Sequence, residues 1–380
     1  MKLHEVLNGY VLVTEPKSAA QGQWAIASKN DQYYFIKMFL SPKYPRPDAA
    51  GSEATKERKR QACAVFENRH QSIRRAIPAD AEGGGNLVVT VDFFRVDSTY
   101  YKVTDMVQAV DLPPLYTIDP RIGLTILRTL FFSMRLLHGA RIVHSDLKPE
   151  NVLFQQTTPG VFVAKVIDFD EAYLSGMPPE PGDIVGDQRF YSPELLRYIT
   201  EDVTADPRAL TTASDIFSLG VLIHNAVIGA LPGFDRERFQ FASESVVAGQ
   251  PLETFGLSGP LESLVVQMLQ DDYRARPDIG RVIEVFAALT PEQLGEIMSG
   301  GHDSRPAAAL VSSETLGSRG ATLKGTIETP AGHVGDDHAP SKAEIPPVPA
   351  GGRSKLKSTV KINEAPREGV LSHSDSGDTI

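Results

Sequence analysis

Residues 142–154 read IVHSDLKPENVLF, which sets Asp146, Lys148 and Asn151 a few positions apart in a loop broken by Pro149. A β-type run, VAKVIDFD, follows at 163–170 and carries Asp168. Transfer of a phosphoryl group from ATP needs a carboxylate to orient a hydroxyl and a lysine beside it. It also needs an amide and a second carboxylate to offer hard oxygen to a cation. One Asp after a strand is commonplace; this set in this order is not.

The chain before this loop has two characters. Residues 9–14, 24–28 and 33–39 are short β-rich runs, with Lys29-Asn30-Asp31 as a turn between the last two. A charged, helix-favouring segment covers 52–77. Two further strands are expected at 87–95 and 99–106, joined around Asp97-Ser98. Asp119-Pro120 then reads as an N-cap with proline at the first helical position. Ile122, Ile126, Leu130, Met134 and Leu137 form an apolar stripe at helical spacing, with Gly139 as the expected C-cap. After the loop, helices are expected at 215–229, 260–269, 278–289 and 291–298. From 299 onward Gly, Ser, Thr, Pro and mixed charge replace the apolar pattern, so 299–380 is expected to be a disordered low-complexity tail.

Bulk composition narrows the classes. The 380 residues carry a net charge of −10, which disfavours nucleic acid as the main partner. Hydrophobic residues make up 41%, enough for a sizeable core. Cys63 is the single cysteine, so the sequence allows no internal disulfide, and a reducing, cytoplasmic setting is expected. The opening MKLHEVLNGYVLV lacks the apolar core of a signal peptide, and the longest apolar run, 219–231, is too short for a membrane span.

In these motifs the chain resembles the eukaryotic-like (Hanks-type) serine/threonine protein kinase family, in a divergent bacterial style. The family patterns are H-R-D-L-x-x-x-N and D-F-G; here they read His-Ser-Asp and Asp-Phe-Asp. The resemblance covers about residues 8–290. It implies an α+β, two-lobed protein kinase-like fold over residues 1–298. A small β-rich N-lobe would span about 8–107 and a larger, mostly helical C-lobe about 108–298.

The resemblance also implies roles. Asp146 orients the acceptor hydroxyl, Lys148 neutralises charge on the phosphoryl group, and Asn151 and Asp168 bind Mg²⁺. Lys37, in YFIKMF, holds the ATP phosphates. Its partner would be Glu67, with Glu57 and Glu53 as alternatives. Only Gly22 survives of the phosphate-covering glycine loop, with Ala20 as a small neighbour. The backbone of Asp105 and Val107 would bond adenine, behind which Thr104 sits. Glu194, in Ser-Pro-Glu, would pair with Arg276, and Asp215 would bond the catalytic-loop backbone. His144 would be a packed structural residue.

There are departures as well. Ser145 replaces the Arg that reads activation-segment phosphates, which implies a non-RD kinase not gated in that way. Asp170 replaces a Gly and is expected to restrict flipping of its segment. Asp187 replaces a Thr and would either pair with Lys148 or repel Asp146. The implied activity is ATP-dependent phosphorylation of Ser or Thr in a protein. The alternatives are a nucleotide-binding pseudokinase and, opposed by Lys148 and Ser-Pro-Glu, a small-molecule phosphotransferase. In the tail, Thr315, Thr322, Thr326 and Thr329 are candidate phosphorylation sites for recruiting partners.

Overall fold

The N-terminal part folds into a sheet because β-branched and aromatic runs alternate with residues that accept positive φ. The computed structural model describes residues 1–19, 22–77 and 86–303. Its first strands are β1 (Val6–Leu7), β2 (Tyr10–Leu12), β3 (Lys17–Ala19), β4 (Gly22–Lys29) and β5 (Gln32–Phe39). Asn30 and Asp31, at φ 52° and 61°, close the β4–β5 hairpin, as a primed turn requires. Helix α1 (Glu53–Ala76) starts at Ser52, whose hydroxyl accepts from the Thr55 N–H at 3.2 Å. Strands β6 (Thr90–Val96) and β7 (Thr99–Asp105) turn at Asp97, φ 52°. The described residues form a seven-stranded antiparallel sheet ordered β1-β2-β4-β5-β7-β6, with β3 on β4. The β5–β7 register sets Lys37 directly opposite Lys102.

The second part is helical. Helix α2 (Pro120–Gly139) begins at Asp119, whose carboxylate accepts from the Arg121 N–H at 2.8 Å. Ile126, Leu130, Met134 and Leu137 are buried and Ile122 partly so; each buried side chain of this size contributes about 1.5–3 kcal/mol. Gly139 is the last helical residue and not the cap. The cap is Ala140, and the left-handed turn falls on Arg141, φ 58°. Short strands follow: β8 (Ile142–Val143), β9 (Val152–Thr158), β10 (Val161–Val166) and β11 (Tyr173–Leu174). Pairing of β9 with β10 and of β8 with β11 brackets the catalytic-type loop.

Helices α3 (Pro193–Ile199), α4 (Thr212–Ile228), α5 (Ala242–Val247), α6 (Gly259–Met268), α7 (Ile279–Ala288) and α8 (Pro291–Asp303) complete the described chain. Helix α4 is apolar nearly all round and sits in the core, where Gly229 at φ 78° caps it. Helix α8 runs past the expected stop at 298, through Gly300 and Gly301. A Cβ on Gly301 would lie 2.5 Å from Ile228 Cδ1, so close packing against α4 explains a glycine there. Almost all of the expected tail, including the four candidate threonines, lies outside the described residues. No helix among the described residues is long and apolar enough to cross a membrane.

Candidate active site

Asp215, near the start of α4, shapes the loop after β8. Its carboxylate accepts from the His144 N–H at 2.8 Å and the Ser145 N–H at 3.1 Å, and it meets His138 Nε2 at 3.1 Å. Those bonds hold Ser145 at φ 70°. His144 is fully buried; its Nε2 donates to the Ile167 carbonyl at 3.0 Å, and its Nδ1 accepts from the Asp146 N–H at 3.4 Å. Ile167 in turn donates to the Asn151 carbonyl at 3.0 Å. The loop and the approach to Asp168 are thus tied together through backbone groups.

This frame fixes both oxygens of Asp146. Oδ2 accepts from Lys148 Nζ at 2.6 Å and from Asn151 Nδ2 at 3.0 Å, while Oδ1 accepts from the Asp187 N–H at 3.1 Å. Asn151 Nδ2 also donates to the Asp146 carbonyl at 2.7 Å. The Asp187 carboxylate forms its ion pair with Arg189, and the charge of Lys148 acts on it only as a lesser influence. It also caps a short turn, and its Oδ1 accepts from Arg189 Nε at 2.8 Å. Burial opposes charge on Asp187, but the bonds from Arg189 outweigh it and hold the carboxyl below its usual range.

Lys37 reaches Asp168 Oδ1 at 3.5 Å and bonds Asp170 Oδ2. Lys102, which sequence reasoning missed, bonds Asp170 Oδ1 and reaches Asp168 at 3.5 Å. The signal was there: a lysine inside the apolar run YYKV. Burial opposes the charge on Lys37, yet Asp170 and Asp168 together hold its ammonium above the usual lysine range. Burial likewise opposes the Asp170 carboxylate, and Lys102 and Lys37 hold it well below the usual range.

The expected partnership of Lys37 with Glu67 is not formed. Glu67 accepts from the Tyr100 hydroxyl at 2.5 Å, while Glu53 pairs with Lys56 at 3.2 Å and Glu57 with Arg60 at 2.8 Å. Phe66, Phe93 and Tyr100 pack as an aromatic group under α1, so Glu67 meets the Tyr100 hydroxyl. Asp170 is the carboxylate that bonds Lys37 instead.

The structure describes most of the remaining expected site residues. Gly22 opens β4 and is buried; a Cβ there would sit 1.9 Å from the Met38 carbonyl, so the contact with β5 alone demands glycine. Ala20 lies outside the described residues. Asp105 ends β7 and Val107 follows it, with buried Thr104 preceding both. Arg276 pairs with Glu194 as the motifs implied, at 2.8 and 2.7 Å.

Comparison with known proteins shows the family of the chain. The family model described as "Protein kinase domain" matches residues 65–285, from within α1 to within α7; Lys37 and Gly22 precede the match. Serine/threonine-protein kinase AfsK of Streptomyces coelicolor is 31% identical over 222 residues, 56% of this chain and 25% of that protein. Serine/threonine-protein kinase pkn2 of Myxococcus xanthus is 27% identical over 230 residues, 58% of this chain and 25% of its own. Serine/threonine-protein kinase RAD53 of Saccharomyces cerevisiae is 25% identical over 203 residues, 50% of this chain and 24% of its own. The chain therefore spans about a quarter of the length of these relatives. With the matched domain covering more than half of its residues, the chain belongs to the protein kinase domain family.

Proposed function

We propose that the chain is an ATP-dependent protein kinase that transfers the γ-phosphoryl group to serine or threonine hydroxyls of a protein. The observation that carries this reading is the Asp146 carboxylate, aimed through both oxygens by Lys148, Asn151 and the Asp187 N–H. A carboxylate held in this way orients an acceptor hydroxyl before reaction begins. The hydroxyl oxygen forms its bond to the γ-phosphorus as the bond to the ADP oxygen breaks. Asp146 takes the hydroxyl proton, and Lys148 offsets charge on the transferred group.

Lys37 serves the α- and β-phosphates, Gly22 at the start of β4 lets the backbone approach them, and the Asp105 and Val107 backbone serves adenine. Asn151 turns its amide nitrogen to Asp146 and so offers its oxygen, and Asp168 is a carboxylate; all-oxygen donors suit Mg²⁺. These two residues would hold the cation, whose chemistry is to neutralise phosphate charge. Ser145 makes this a non-RD kinase, and the Glu194–Arg276 pair supports a protein substrate over a small molecule. The acidic charge of −10 and the single cysteine support a cytoplasmic protein that does not act on nucleic acid.

Incubation with radiolabelled ATP and Mg²⁺, followed by site mapping, tests this. Label should appear on Ser or Thr and vanish in Asp146→Ala; equal label from both proteins rejects the reading. The bond from Tyr100 to Glu67 favours one alternative, a pseudokinase scaffold, which nucleotide binding without transfer would select.

A further inference from the structure

Asp170 takes the position of a family glycine, yet its side chain is 4% exposed and shared between two lysines, one oxygen to each. Lys102 lies on an inner strand between Tyr101 and Val103, both buried. A lysine in such a strand is costly unless a carboxylate meets it. Its opposite number across the β5–β7 ladder is Lys37. Two ammonium groups facing each other would repel; Asp170 between them and Asp168 beside them balance the charge. Tyr100, two residues before Lys102, shares its face of β7 and holds Glu67. One strand thus draws the helix carboxylate away and braces the carboxylate that replaces it.

We propose that Asp170, braced by Lys102, is the positioning carboxylate that aims Lys37 at the phosphates of ATP, a task that Glu67 does not perform in this chain. The inference rests on the kinase reading of the site. Asp170 lies on the same short segment as Asp168, so the phosphate-binding lysine and the cation-binding carboxylate are set together. The orientation of Lys37 does not depend on where α1 stands.

The test uses the full chain, a fluorescent ATP analogue with Mg²⁺, and adenosine as a competitor that lacks phosphates. Asp170→Asn alone leaves two lysines facing each other, so the decisive variant is Asp170→Asn/Lys102→Met, which removes one charge of each sign. Losing a charged hydrogen bond to Lys37 should weaken the ATP analogue by about tenfold or more. Adenosine affinity should stay within about twofold, a difference that a merely structural defect would not produce. Glu67→Gln should leave both affinities near wild type. The proposal is overturned if the double variant binds the analogue like wild type, if it loses adenosine in equal measure, or if Glu67→Gln loses as much. Binding is read without transfer, so a chain that binds as expected but does not phosphorylate overturns the kinase reading and leaves this one standing.

Discussion

Arg276 donates to both oxygens of Glu194, across 82 residues of chain. Its other bonds run to the carbonyls of Gln270, Ala213 and Asp271, so every N–H of the guanidinium is used. The side chain is fully buried. Arg276→Met leaves Glu194 charged and alone, which should cost about 3–5 kcal/mol. Arg276→Lys should recover little, since an ammonium has fewer donors and no planar fork. Urea unfolding checks this; a loss under about 1 kcal/mol in the Met variant, the level of an exposed pair, would show that the pair contributes little.

Gly186 stands against the carboxylate at the centre of the site. A Cβ there would lie 2.8 Å from the Tyr191 hydroxyl and 3.2 Å from Asp146 Oδ1. The adjacent Asp187 N–H is one of the three donors that aim Asp146. Gly186→Ala should therefore shift this carboxylate and lower kcat by about 10²-fold, as a displacement of about 1 Å can. Gly182, four residues earlier with nothing within 4 Å of its Cβ position, supplies the control variant Gly182→Ala. Steady-state kinetics of both variants decide it; equal kcat values would mean that the site yields without cost.

Activation-segment phosphorylation has few places to act. Between Asp170 and Glu194 the hydroxyl residues are Tyr173, Ser175, Tyr191 and Ser192, and all but Ser175 are buried. Ser145 stands where an arginine would read such a phosphate. Ser175→Ala should keep kcat/KM within about twofold of wild type, the scatter of a neutral surface change. A loss beyond about tenfold in a folded variant, reversed by Ser175→Asp, would establish gating by a phosphate at Ser175.

The parts of the fold that could be read in advance are those with local signals. Asp119-Pro120 and the stripe from Ile122 to Leu137 set α2, because capping and helical spacing are properties of neighbouring residues. The strand bounded by Asn30 and Asp31 was legible for the same reason. Helices α3 and α5 are too short for periodicity to reveal, and α8 continues through glycines because contact with Ile228 overrides their local cost. Within the site, Asp146, Lys148 and Asn151 meet because they share one loop. The partner of Lys37 was not legible. It depends on the β5–β7 register and on which residues of α1 face Tyr100, and neither is written in a local pattern.

His70, on α1, joins this charged cluster to the aromatic group beneath the helix. Its ring lies 4.5 Å from Phe66, 4.6 Å from Phe93 and 5.3 Å from Phe39, and its Nε2 has no hydrogen-bond partner. Burial first, then Lys102, Arg69 and Lys37, push its pKa down from 6.5 to about 3, against the pull of Asp170. The folded state therefore refuses a proton that the unfolded chain accepts below 6.5. Stability from the neutral ring is fully present above 6.5 and is lost as pH falls from there toward about 3. The slope is about 1.4 kcal/mol per pH unit at most. His70→Phe keeps an aromatic ring and removes the titration. Urea unfolding at about pH 7.5, 6 and 5 should show the wild type losing stability more steeply than the variant. Parallel losses in the two proteins would assign the acid sensitivity to other groups.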